Sequence, residues 1–342
     1  MAENGRKILS GVVRTAVKLG IAATVICWLY HRHSDKLSDC LENFDTIYLI
    51  PVILLTLTAA FTGMLRWKYL TTAADIELPL AKAVSLTMQG IFFSLVIPGG
   101  AIGGDVVKMA ALSGHIRPGT RTEGFFSVII DRITGMFALF LLALLILGCS
   151  TSLFDNLNIA AAPMLSGRIL QWLLVLICLA GIASGCALFF HRKLEKLSVI
   201  RKIIDFADRK SKGKASRISL AADAYTAARN QVLFWIVITI FFVHLLPAFS
   251  MYLLLIGTGV SPEILPVAAA VVIGNIAGLI PLFPGGIGAR DAVTIALLTA
   301  GGIPAAAAAA AQLISTIITI IFNLFGAIFF IADQKNISAA AK

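Results

Sequence analysis

Charge is scarce in this chain. Only 13% of its 342 residues are Asp, Glu, Lys or Arg, against about 25% in an ordinary soluble domain. With 58% apolar residues and a mean hydropathy of +0.92, that scarcity excludes a water-soluble globule. Cysteine and histidine are sparse too, five of each, and they do not cluster. A disulfide framework and a Cys/His metal centre are therefore not expected. Cys27, Cys178 and Cys186 sit in apolar runs and read as inert buried thiols. Nothing in the spacing demands a bond between Cys40 and Cys149. There is no Gly-x-Ser-x-Gly, no Walker loop, no dinucleotide fingerprint and no soluble catalytic segment. The chain reads as a non-enzyme without a cofactor. No long polar linker divides it, so residues 1–342 form a single transmembrane domain.

What is present is a series of apolar runs near the length of about 20 residues that a bilayer requires. Full spans are expected at about 9–30, 45–65, 123–148, 169–190, 231–257 and 304–331. The first is preceded by Arg6, Lys7, Arg14 and Lys18 but followed by His31-Arg32-His33 and no small-residue cleavage site, so it is an uncleaved span. The second ends at Arg66-Trp67-Lys68-Tyr69, the mix of basic and aromatic residues found at a membrane interface.

The net charge of +10 does not point to nucleic acid, because ten Lys and Arg lie in the single segment 191–217. A basic loop between spans marks the cytoplasmic side and attracts anionic headgroups there. The 31–44 and 150–167 segments are poor in Lys and Arg and suit the outside. The expected protein is multi-pass in the inner (cytoplasmic) membrane of a bacterium or archaeon, with the N-terminus and the 191–217 loop cytoplasmic.

Two short segments resemble each other. Pro98-Gly99-Gly100-Ala101-Ile102-Gly103-Gly104-Asp105 and Pro284-Gly285-Gly286-Ile287-Gly288-Ala289-Arg290-Asp291 both begin Pro-Gly-Gly and place an Asp seven residues after the Pro. Each follows an apolar run, 80–97 and 264–283, and leads into a shorter one, 105–113 and 291–302. Glycine-interrupted apolar segments at matching places in two halves point to a transporter binding site. Each unit is read as a re-entrant hairpin, 80–113 and 264–303. Three spans separate them, so they enter from opposite faces as an inverted repeat: 1–148 is the first half and 218–332 the second.

Glycine permits positive φ and close approach, proline ends the preceding helix, and a helix start presents free N–H groups to an anion. Asp105 and Asp291 lie near those starts, either capping them or meeting a ligand directly. Charges inside apolar segments are costly and point to function, which adds Lys108, Asp131, Arg132 and Arg290. Arg132 and Arg290 suit bidentate binding of a phosphate. The plainer reading is internal pairing, Asp131 with Lys108 and Arg132 with Asp105. His244, three residues before Pro247, reads as a packed histidine. Gln89, Asn275, Gln312 and Asn323 read as interhelical hydrogen-bonders.

At these residues the chain resembles the transmembrane region of the lysylphosphatidylglycerol synthase/flippase family. Pro98 to Lys108 is similar to its Pro-Gly-x-Gly-Gly-Asp-x-x-Arg signature, Asp131-Arg132-x-x-Gly135 to its Asp-Arg-x-x-Gly element, and Pro284 to Asp291 to its second Pro-Gly-Gly block. The resemblance covers roughly residues 45–331. Lys108 stands for the usual Arg, Asp291 for the usual Glu, and Gln312 for a residue that is often basic. The soluble aminoacyl-transferase domain of the bifunctional members is absent before the chain ends at Lys342, so the resemblance implies transport and not synthesis.

The sequence thus leads to an all-α polytopic membrane protein of about six full spans and two re-entrant hairpins. Its expected function is a lipid flippase that moves a phospholipid or aminoacylated phospholipid between leaflets. The headgroup would lie between the hairpin tips, on Gly99, Gly100, Gly103, Gly104, Asp105, Lys108, Asp131, Arg132, Gly285, Gly286, Gly288, Arg290 and Asp291. The partner is an anionic phospholipid or a lipid-linked glycan, and a homo-oligomer is left open. The alternatives are a polyprenyl-linked glycolipid transporter, a membrane partner of a glycosyltransferase, and a scaffold without transport.

Overall fold

In hydrocarbon every backbone N–H and C=O needs an internal partner, and a helix is the simplest solution for an apolar run. The computed structural model describes residues 34–97, 100–117, 120–155, 157, 166–189, 192, 222–280 and 286–340. Its elements among these residues are all helical. The expected span at 9–30, Cys27, the basic segment apart from Arg192, and Pro98, Gly99, Pro284 and Gly285 lie outside the described residues. Arg192 pairs with Asp223.

The helices are α1 (Ser34–Glu42), α2 (Leu49–Thr72), α3 (Leu80–Val96), α4 (Ala101–Ser113), α5 (Arg121–Cys149), α6 (Thr151–Asp155) and α7 (Gly167–Phe189). After the basic segment come α8 (Arg229–Thr239), a π-helical stretch Ile240–Leu245, α9 (Leu246–Gly257), α10 (Ile264–Gly278), α11 (Ala289–Ala300) and α12 (Ala305–Ala340). Five segments are long and apolar enough to cross a membrane: Thr46–Thr72, Arg121–Cys149, Gly167–Ala187, Arg229–Gly257 and Ala305–Asp333. They coincide with five of the six expected spans.

The second span does not stop where the interface residues suggested. The helix runs on to Thr72, and Arg66 and Trp67 are 8% and 0% exposed. Only Tyr69 of that group is exposed. The fifth span is continuous but locally wide. Pro247 lacks the N–H that the Val243 carbonyl would bind in an α-helix, and the chain adopts a π turn over the preceding residues.

Short helices α3 and α4 pack tightly as a pair, and so do α10 and α11. Glycines allow both approaches. A Cβ on Gly104 would lie 2.2 Å from the Gly90 carbonyl oxygen, and one on Gly274 would lie 2.1 Å from Thr294 Oγ1. The α3 helix packs on α12, α10 packs on α5, and α2 packs on α9. The α3–α12 crossing also rests on glycine, since a Cβ on Gly326 would lie 2.1 Å from the Met88 carbonyl oxygen.

The largest buried cluster joins α5, α9, α10 and the start of α12. There the alanine run contributes Ala307, Ala308 and Ala311, all buried. Small side chains permit the close helix contacts that hold a bundle together in lipid. A second cluster around Trp67, Leu70, Leu86, Leu112 and Ile130 seats α3 and α4 against α2 and α5. Cys40, Cys149, Cys178 and Cys186 are free thiols; Cys178 is buried, whereas Cys186 is only half-buried.

Candidate functional site

Both hairpin turns use glycine at positive φ. Gly100 (φ 56°) precedes α4 and Gly288 (φ 100°) precedes α11, with Gly286 (φ 74°) inside the second turn. The first turn is shorter than expected. Gly103 and Gly104 lie inside α4, not in a loop, because that helix already begins at Ala101. Gly104 serves the contact with Gly90 described above. Gly99 and Gly285 lie outside the described residues.

Helix α4 brings Asp105 and Lys108 to face α5, and α5 supplies Asp131 and Arg132. Asp105 lies in the second turn of α4, too far along to cap it. Its carboxylate instead accepts from Arg132, at 2.9 Å from Nε and 2.6 Å from Nη2. Asp131 accepts from Arg66 Nε at 2.7 Å and lies 3.8 Å from Lys108 Nζ. Both pairings read from the sequence, Asp131 with Lys108 and Arg132 with Asp105, are therefore present.

Arg66 is the member that sequence reading missed. An arginine beside Trp, Lys and Tyr looks interfacial. The available signal was Thr62, four residues earlier on the same helix face and also buried. Arg66 also donates to Thr239 Oγ1 at 3.1 Å, so it ties α2 to both α5 and α8. Lys108 Nζ lies 3.6 Å from the centre of the Trp67 ring, where the aromatic face replaces part of its hydration.

These contacts explain the spacing of Asp131-Arg132-x-x-Gly135. Asp131 holds Arg66 and Arg132 holds Asp105. A Cβ on Gly135 would lie 3.1 Å from Arg66 Nη1, so the missing side chain leaves room for the guanidinium. The Gly135 carbonyl lies 3.0 Å from His244 Nε2. His244 is thus a packed histidine, as expected.

In the second hairpin Asp291 lies in the first turn of α11 and is 5% exposed. Among the described residues its hydrogen-bond donors are all side chains, so it does not cap the helix. It accepts from Gln312 Nε2 at 2.9 Å, Thr316 Oγ1 at 3.1 Å and Arg290 Nε at 3.0 Å. Gln312 and Thr316 are four residues apart on α12, a spacing that puts both on one face. Gln312 is therefore interhelical, as expected, and so is Gln89, which donates to Asp333 at 3.2 Å. Asn275 and Asn323 do not behave this way. Neither forms an interhelical hydrogen bond among the described residues, and Asn275 instead lines a cavity.

Two cavities of about 330 and 340 Å³ adjoin each other. The first lobe is lined by Arg66, Asp105, Lys108, Asp131 and Arg132, the second by Asn275, Arg290, Thr294 and Gln312. Leu139, Val243, His244 and Leu279 line both and form the partition. The Thr87 hydroxyl on the first lobe and the Ser250 hydroxyl on the second are buried and find no hydrogen-bond partner among the described residues. Buried polar atoms of that kind call for water or a ligand.

Membrane-length helices around a buried, charged, two-lobed cavity define a multi-pass membrane protein with an internal polar site. The chain belongs to the family described as the lysylphosphatidylglycerol synthase TM region, which it matches over residues 15–326. Two relatives from Methanothermobacter thermautotrophicus are each named as a UPF0104 membrane protein. One is 23% identical over 296 residues, covering 83% of this chain and 84% of its own. The other is 25% identical over 341 residues, covering 93% of both. No solved structure matches the chain.

Proposed function

We propose that this protein moves a phospholipid, or an aminoacylated phospholipid, between the leaflets of the inner membrane. The observation that carries this reading is the charge balance of the first lobe. Three cations, Arg66, Lys108 and Arg132, face two carboxylates, Asp105 and Asp131. One positive charge is left over in a site where an unpaired charge is expensive. A lipid phosphate supplies the missing negative charge and offers oxygens to Arg132, whose side chain is the most exposed of the charged groups named in either lobe. The orphan hydroxyls of Thr87 and Ser250 give a polar headgroup further partners in each lobe.

Alternating access follows from reading the two hairpins as an inverted repeat with opposite membrane faces. Three observations support that reading. Each hairpin opens its second helix after a positive-φ glycine. Each first helix packs on the long final helix of the other half, α3 on α12 and α10 on α5. Helices α2 and α9, at the same place in each half, pack on each other. In this arrangement the N-terminus and the basic segment face the cytoplasm, and the partition at His244 divides the two access routes. The absence of a nucleotide motif makes transport downhill or ion-coupled.

The test is reconstitution into liposomes with a fluorescent or charge-labelled phospholipid. Wild type is expected to equilibrate the label between leaflets, and the double variant Arg132→Ala, Asp291→Ala to lose that rate. Equal rates would remove the site assignment. Movement of a polyprenyl-linked glycolipid, with none of a phospholipid, would keep the phosphate site and change the tail.

A further inference from the structure

An apolar groove of about 760 Å³ opens between α2, α3 and α12, apart from the polar lobes. Its walls include Leu57, Phe61 and Met64 of α2, Met88 of α3, and Phe322 and Phe325 of α12. Thr56 carries the one wall hydroxyl among these lining residues, and it donates to its own helix at Val52 O, 2.8 Å away. Helices α2 and α12 each pack on α3 and on α9, which hold them apart.

The groove adjoins the polar site. Thr56 and Ile318 line both the groove and the second lobe, where Arg290 and Gln312 lie. Its length also fits a lipid. Ile53 to Met64 on α2 and Ile318 to Phe329 on α12 mark its two long walls. At 1.5 Å rise per residue each wall is about 16 Å long, close to half of a hydrocarbon core about 30 Å thick. Apolar residues here are exposed, Phe325 at 53%.

We infer that this groove holds an acyl chain of the transported lipid, and that the gap between α2 and α12 is the side opening by which its headgroup passes between bilayer and cavity. The inference rests on the phosphate-binding reading above and adds where the tail lies. An ordinary lipid-facing surface needs no such groove, and the outer face of α7, with Trp172 and Leu176 exposed, provides the contrast.

The test places a benzophenone amino acid at Phe325 in the groove or at Trp172 on α7. The full chain is reconstituted in phosphatidylcholine vesicles with a minor fraction of phosphatidylglycerol. Adducts are identified by mass after irradiation. At Trp172 the adducts should follow the bulk lipid composition. At Phe325 phosphatidylglycerol should be enriched about tenfold over its bulk share, about 1.4 kcal/mol, because both lipids offer a phosphate but only phosphatidylglycerol brings the net negative charge that answers the site's surplus cation. That enrichment should fall in Arg290→Gln. Bulk composition at Phe325 would overturn the groove as a site. So would a peptide adduct with residues 9–30, which would assign the groove to the chain's own first span. Enrichment that survives both Arg290→Gln and Arg132→Gln would keep the chain site and remove the phosphate reading.

Discussion

Asp105 and Asp131 in the first lobe each meet cations from another helix, whereas Asp291, behind the wall of the second lobe, meets two neutral donors from α12 and its own neighbour Arg290. The backbone plan beneath them is the same: a short apolar helix, a glycine turn, a second short helix and a long span. One device therefore carries two electrostatic settings. The first lobe is an ionic lattice with a surplus positive charge, joining α2, α4 and α5. The second presents Arg290, its charge balanced by the buried Asp291 beside it.

The largest expected effect breaks the ionic lattice. Asp131→Ala leaves Arg66 and Lys108 buried without their shared partner, and should cost about 3–5 kcal/mol, read as a lower unfolding midpoint in detergent. Asp291→Asn keeps a hydrogen-bonding side chain among Gln312 and Thr316 and should cost clearly less. Equal losses would mean that the two lobes do not differ as described.

Next come the glycines that close each hairpin. Gly104→Ala pushes a methyl into the Gly90 carbonyl, an overpacking that should cost about 1–3 kcal/mol. Gly274→Ala meets the Thr294 hydroxyl instead. Adding Thr294→Ala should therefore restore much of the loss in the second hairpin, whereas backbone cannot be trimmed in the first. Failure of that rescue in thermal melts would show that the second hairpin is held as rigidly as the first.

A smaller effect is expected from Gln312→Leu, which removes one donor from Asp291 and should cost about 1 kcal/mol. The smallest change in stability belongs to Arg132→Lys. Arg132 is partly exposed, so losing its two-point contact with Asp105 should cost less than about 1 kcal/mol. Its effect on lipid movement should exceed its effect on folding, because an ammonium does not reproduce the planar fork that suits phosphate. A transport rate unchanged in this variant would shift the phosphate toward Lys108.

Much of this was legible in the sequence. The paired Pro-Gly-Gly segments located both hairpins, and apolar length located five described spans. The pairs Arg132–Asp105 and Asp131–Lys108 followed from the cost of charge within apolar segments. Arg66 was misplaced because composition alone does not distinguish an arginine at a span end from one turned inward. The capping role considered for Asp105 failed because the first turn is shorter than its glycine count implied. The partnership of Gln89 and Lys82 with Asp333 was out of reach, since those residues are 244 and 251 positions apart.

The sequence by itself determined that this chain lives in a membrane, that its helices are interrupted by glycine at two matching places, and which charges had to find partners. Hydropathy, proline and glycine act locally, so their consequences can be read locally. The tertiary structure decided which helix answers each charge. It brought α2 to Asp131, α12 to Asp291, and the α2–α12 gap to the edge of the second lobe. These are contacts between distant segments, set by how closely glycine and alanine let the helices approach, and no local pattern specifies them.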